Sequence, residues 1–106
     1  MYNRHMPFSL LMYDVVDDYA EARTKYRDEH LDLARRSHEC GDIVLAGAYG
    51  EPPKGVVIVF RAESADAAEA FARRDPYVRA GVATGWRVQP WHVVIGGEQM
   101  TQTPPG

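Results

Sequence analysis

The sequence predicts an α+β domain with element order β-α-β-β-α-β, and three observations carry that reading. A strand-length apolar run, Phe8 to Val15, leads straight into a long stretch of helical periodicity from Asp17 to Cys40. Two apolar runs, Ile43 to Tyr49 and Val56 to Phe60, flank a Gly/Pro-rich turn and read as a hairpin. An alanine-rich segment stopped by Pro76 then precedes a last strand, Gly85 to Ile95.

Each element has a local reason. Val16-Asp17-Asp18 supplies an N-cap and acidic first-turn residues for the first helix. Gly41 is placed to stop that helix in the left-handed conformation. The segment Gly50-Glu-Pro-Pro-Lys-Gly55 is a turn by composition, and Val56 to Phe60 is the most β-branched run in the chain. Ser64 is placed to cap the second helix, whose thin apolar face is Phe71 with Ala67, Ala68 and Ala72. Pro76 ends that helix and opens a short extra turn to Gly81, with Asp75 as its cap. Pro90 inside the last strand indicates an edge position or a bulge.

The order is that of a ferredoxin-like fold, a four-stranded antiparallel sheet with two helices on one face. Val56 to Phe60 is apolar on both alternations. The last strand places Trp86 and Val88 on one face and Trp91, Val93 and Ile95 on the other. Two helices cover only one face, so the pattern predicts a homodimer built sheet to sheet; a patchily apolar face on a monomer is the competing reading.

Composition narrows the function. The 106 residues make one domain (8–95) with a short lead (1–7) and a polar tail (96–106). The tail, ending Pro-Pro-Gly, is expected to be mobile or ordered only against a partner chain. Twelve basic and fifteen acidic residues give a net charge of −3, which provides no basic field for nucleic acid. A single cysteine, Cys40, forms no internal disulfide and reads as a small buried residue in a reducing, cytoplasmic setting. The first apolar run is too short for a signal segment or a membrane span. His5, His38 and His92 lack companions at ligand spacing, so no metal is expected, and no Gly-x-Gly-x-x-Gly, P-loop or nucleophile elbow calls for a nucleotide cofactor or a serine nucleophile.

The candidate chemistry lies in the first helix. At about 100° per residue, Tyr19, Ala22, Tyr26, Leu33, Ser37 and Cys40 share one arc, and His30 falls within it. Arg27, three residues earlier, is a same-face neighbour. With the helices on the sheet, His30 and Asp75 are within reach of each other. A carboxylate beside an imidazole fixes its tautomer and leaves the other nitrogen free to move a proton. The bland alternatives are a core histidine bonded to a backbone carbonyl and an aspartate that only caps the following turn. Tyr26, Tyr49 and Tyr77 are candidates to line a pocket, although aromatics at such positions commonly belong to the core.

Arg27-x-x-His30-Leu31, the Ala46-Gly47 step, Asp75-Pro76-Tyr77 with Ala80-Gly81, and a closing strand with Val88 and Pro90 together resemble the YciI-like (YCII-related) family. The resemblance spans about Phe8 to Val94. It implies a dimeric α+β barrel similar in fold to muconolactone isomerase, with a histidine and an aspartate, here His30 and Asp75, as the active-site pair. One branch of that family removes chloride from a chlorinated hydroxyquinol. The short Glu51-Pro52-Pro53-Lys54 hairpin and the extended tail depart from the pattern at the rim of the expected pocket.

The leading expectation is therefore a cofactor-free lyase or isomerase acting on a small cyclic or aromatic oxygenated substrate. His30 is its acid/base, Asp75 orients it, and Arg27 or Tyr77 steadies an anionic oxygen. The alternative is a non-catalytic dimeric module binding a small molecule or a protein partner, with His30–Asp75 as a structural pair. A cofactor-independent monooxygenase using Trp86, Trp91 and His92 ranks third.

Overall fold

The strands divide their residues between two environments. In the computed structural model, which describes residues 8–96, β1 (Phe8–Val15) turns Leu11 and Tyr13 into a buried cluster with Val56, Ile58 and Phe60 of β3 (Gly55–Arg61). The alternate positions Leu10 and Met12, with Val57, lie on the opposite face. β2 (Ile43–Tyr49) pairs antiparallel with β3, completing the expected hairpin, and β4 (Ala83–Trp91) pairs antiparallel with β1. The sheet order is β2-β3-β1-β4, so Pro90 sits on an edge strand, where its missing N–H costs no ladder bond.

β4 begins two residues earlier than the pattern predicts and ends four earlier. Ala83 pairs with Val15 beyond an irregularity at Asp14/Val15, and Trp91 faces Phe8, the first residue of β1. The ladder runs out with its partner. Val94 and Ile95 are therefore fully outside the sheet and exposed, and only Trp91 carries the expected apolar character onto the outer face.

The first helical stretch is continuous but not uniform. It comprises α1 (Tyr19–Ala22), a 3-10 turn (Arg23–Tyr26) and α2 (Arg27–Glu39). Tyr19, His30 and Leu33 point inward as the periodicity requires, while Cys40 does not. It follows the last helical residue, where the chain turns away from the core, and its exposed thiol lies 3.3 Å from the Ser37 carbonyl. Gly41 at φ 94° ends the helix in a Schellman arrangement, with Asp42 N donating to Ser37 O and Gly41 N to His38 O, both at 3.0 Å. No atom stands within 4 Å of a Cβ added there, so the cost of Gly41→Ala is conformational alone. We expect a loss of roughly 1–2 kcal/mol, read from the urea midpoint.

Two expected caps work differently. At Asp18 the backbone carbonyl accepts from Glu21 N and Ala22 N, at 3.0 and 2.8 Å, and the side chain makes no capping bond. At Ser64 a 3-10 turn (Ala62–Ser64) precedes α3 (Ala65–Arg74), and the hydroxyl donates to Asp42 Oδ1 at 3.0 Å instead of capping. That bond ties the end of α2 to the start of α3. The third cap holds as expected: Asp75 opens α4 (Pro76–Arg79), its carboxylate accepting from Tyr77 N, with Pro76 at the first helical position. Helix α3 lays Ala68, Phe71 and Ala72 into the core. Among the described residues no helix is long and apolar enough to cross a membrane. The lead and the tail expected at either end fall on residues 1–7 and 97–106, outside the described residues.

Candidate active site

Three chain segments converge on one carboxylate. Asp75 is fully buried between α3 and α4 and is the meeting point of β1, α2 and α4. Its Oδ2 accepts from the Tyr13 hydroxyl at 2.6 Å, and its Oδ1 from Tyr77 N at 2.9 Å. His30 Nδ1 lies 2.9 Å from both carboxylate oxygens. An ionised carboxylate only accepts, so Nδ1 carries the proton. The buried charge thus gains three donors in place of water, which is what makes its burial tolerable.

The imidazole is held on several sides. Tyr77 stacks on it with ring centroids 3.8 Å apart and planes 6° from parallel, and Phe71 meets it edge to face at 6.4 Å. Only 11% of the His30 side chain is exposed. Among the described residues Nε2 has no protein partner, and the ring borders a hollow of about 170 Å³. On one side that hollow is lined by Tyr19, Arg23, Arg27, Leu31 and Tyr77, and on the other by Ala46, Gly47 and Ala48 of β2 with Val56 and Ile58 of β3. A larger groove of about 630 Å³ runs between α2 and α3, past Glu29, Arg36 and Arg74, and does not include His30.

Both buried phenols remain protonated near neutrality. Burial, and then the Asp75 carboxylate, push the Tyr13 hydroxyl well above the ordinary phenol range. Burial pushes Tyr77 up to about 12, with Tyr19 adding to the rise and the Arg27 and Arg23 guanidinium groups opposing it. The Tyr77 hydroxyl is buried with no hydrogen-bond partner among the described residues.

The site expected from sequence is therefore partly assembled as read. His30, Asp75, Arg27 and Tyr77 come together, and Asp75 is a cap as well as the partner of the imidazole. Tyr26 does not border the hollow; it packs on the edge of the core with Lys25 above its ring. Tyr49 lies 47% exposed at the end of β2, over Gly55 and on the other face of the sheet. Tyr13, Tyr19 and Arg23 are additions. Tyr13 was hidden inside a strand run that reads as core, although a buried hydroxyl in such a run usually finds a partner. Arg23 carried a clearer sign, since it stands four residues before Arg27.

His38 Nδ1 donates to Ile43 O at 2.9 Å, and His92 is exposed beyond β4, while His5 lies outside the described residues. Among the described residues no three His, Cys, Asp or Glu side chains gather as a metal set.

Among solved structures, the chain is similar to 5-chloro-2-hydroxyhydroquinone dehydrochlorinase (TftG) from Burkholderia phenoliruptrix AC1100, in complex with 2,5-dihydroxybenzoquinone. The two share 20% identity with a TM-score of 0.64, over 79% of this chain and 92% of that one. At that identity the likeness establishes the fold. No curated protein sequence matches the chain significantly. The YCII-related domain profile matches residues 6–92, a span that holds all four strands and the whole of the His30–Asp75–Tyr13 network. The β-α-β-β-α-β chain with its buried histidine–aspartate pair thus belongs to the YCII-related domain family.

Proposed function

We propose that the chain is a cofactor-independent enzyme of the lyase or isomerase type, moving a proton on a small cyclic or aromatic oxygenated substrate. The observation that carries this reading is an imidazole aimed by a buried carboxylate, with its second nitrogen unpartnered among the described residues at the edge of a hollow. His30 Nε2 takes a proton from an sp3 carbon next to a substrate carbonyl, in the keto form where the substrate is a phenol, and the C–H electron pair moves into an enolate. The imidazolium that forms is stabilised by Asp75, whose charge Tyr13 and Tyr77 N hold in place. Arg27 or the Tyr77 hydroxyl steadies an anionic oxygen of the substrate or the intermediate. Return of the proton to a second carbon completes an isomerisation. Departure of an anion with its electron pair, chloride in the case of a chlorinated hydroxyquinol, completes an elimination. The test is exchange of substrate carbon-bound hydrogen in D2O, with chloride release for chlorinated substrates.

One observation favours a structural role for the pair: the same carboxylate caps α4 and anchors Tyr13, so part of its placement serves folding. The consequence is that stability and turnover must be measured on each variant.

The pattern also supports a homodimer through the outer sheet face, where Phe8 and Val59 are buried but their neighbours on that face are not, in a cytoplasmic setting. Leu10, Met12 and Val57 occupy its middle, and Leu45, Tyr49 and Trp91 remain 47%, 47% and 42% exposed around them. The Arg87–Asp14 pair at 3.5 Å interrupts the apolar surface at one margin. We expect sedimentation equilibrium at micromolar concentration to give a dimer mass, and Leu45→Glu to shift it to monomer; a monomer in the unmodified protein removes this part of the proposal.

A further inference from the structure

Arg23 and Arg27 stand four residues apart across the 3-10 turn that joins α1 to α2, and both border the hollow beside His30. Among the described residues neither has a carboxylate partner, and no Asp or Glu lines the hollow. Arg23 spends its contacts on Tyr19, with Nη1 donating to the hydroxyl at 3.5 Å and the guanidinium carbon 4.9 Å above the ring centre. Two like charges at this spacing repel. The Tyr77 hydroxyl, buried and without a partner, belongs to the same end of the hollow, its ring 6.0 Å from that of Tyr19. A buried hydroxyl whose own proton meets no acceptor, with the Arg27 guanidinium next to it and neither arginine held by a carboxylate, is the donor set of an oxyanion site. The opposite wall, Ala46-Gly47-Ala48, is small and apolar, and the volume of about 170 Å³ suits a single ring with one compact substituent.

We infer that the hollow selects ring compounds bearing a permanent carboxylate. Arg23, Arg27 and the Tyr77 hydroxyl grip the carboxylate, and the ring lies against Ala46, Gly47 and Ala48 with its reacting edge toward His30. The placement of that reacting edge rests on the proton-transfer proposal; the charge selection does not. Arg23 and Arg27 are then specificity-determining residues, acting on a group that does not react. The planar fork of arginine matches a planar carboxylate, and a single lysine does not reproduce it.

The test is calorimetric titration of the full chain with benzoate and with benzamide, which has nearly the same shape and no charge. Benzoate is expected to bind with a Kd of about millimolar order, and benzamide roughly tenfold more weakly. Arg23→Gln and Arg27→Gln each weaken benzoate by roughly tenfold and leave benzamide within about twofold, whereas Arg35→Gln, on the exposed face of α2, changes neither. Raising salt on the unmodified protein weakens benzoate selectively, which keeps the test open should a variant misfold. The inference is overturned if benzoate gives no heat at tens of millimolar, if benzamide binds equally well, or if both glutamine variants retain full benzoate affinity. Charge discrimination without proton transfer on any substrate would sink only the enzymatic proposal. Proton transfer without charge discrimination would sink only this one.

Discussion

Replacing Asp75 by Ala should cost about 3–5 kcal/mol of stability and abolish activity. The carboxylate is fully buried and is the acceptor for Tyr13, His30 and Tyr77 N, so its removal strands three donors at once. A buried unsatisfied donor costs about 1–3 kcal/mol, and a lost cap about 0.5–2 kcal/mol. These terms overlap within one network and do not simply add. Against a total of about 5–15 kcal/mol for a domain, the variant should lie close to unfolding at room temperature. Asp75→Asn keeps the size and one acceptor oxygen, and should lose only about 1–2 kcal/mol while still failing in proton transfer, because an amide no longer compensates an imidazolium. Urea denaturation of both variants provides the check. An Asp75→Ala chain with an unshifted midpoint would mean that the closed network is not present in solution.

His30→Ala should show the reverse balance. The imidazole brings an unpartnered ring nitrogen to the hollow as the proposed base, so the exchange rate should fall by roughly 10² to 10⁴. Asp75 retains Tyr13 and Tyr77 N as donors, and the loss of the Tyr77 stack and one hydrogen bond should cost no more than about 1–2 kcal/mol. Rate constants for deuterium exchange, set beside urea midpoints, separate the two roles. Unchanged turnover together with a loss of several kcal/mol would return the pair to a purely structural function.

Much of this arrangement was legible in the residues because the physical signals were local and strong. The two periodicities, Gly41 after a helical run, and Asp75-Pro76 at a helix start each have one favoured backbone solution, and the fold follows from their order. The convergence of His30 with Asp75 was legible because His30 lies on the inward side of α2 and Asp75 at the junction of α3 and α4, on helices that pack on one sheet face. What escaped depends on the relation between elements. The 3-10 turn at Arg23–Tyr26 has no signature in composition, and Asp18 and Ser64 have the chemistry of caps but find other bonds once the neighbouring segments are in place. Tyr49 and Tyr26 look like Tyr77 in sequence. Only the sheet register and the twist of the helical stretch decide that Tyr77 alone borders the hollow. Tyr13 shows the converse: its hydroxyl matters because of an acceptor 62 residues away.

That distance has a further meaning. The imidazole is aimed by a knot tied between the first strand, the long helix and the turn after the second, so a fragment that lacks any one of these cannot hold it. If the pair moves protons as proposed, that chemistry requires all three segments to be docked together, and a chain lacking any one of them keeps the ring but loses what aims it.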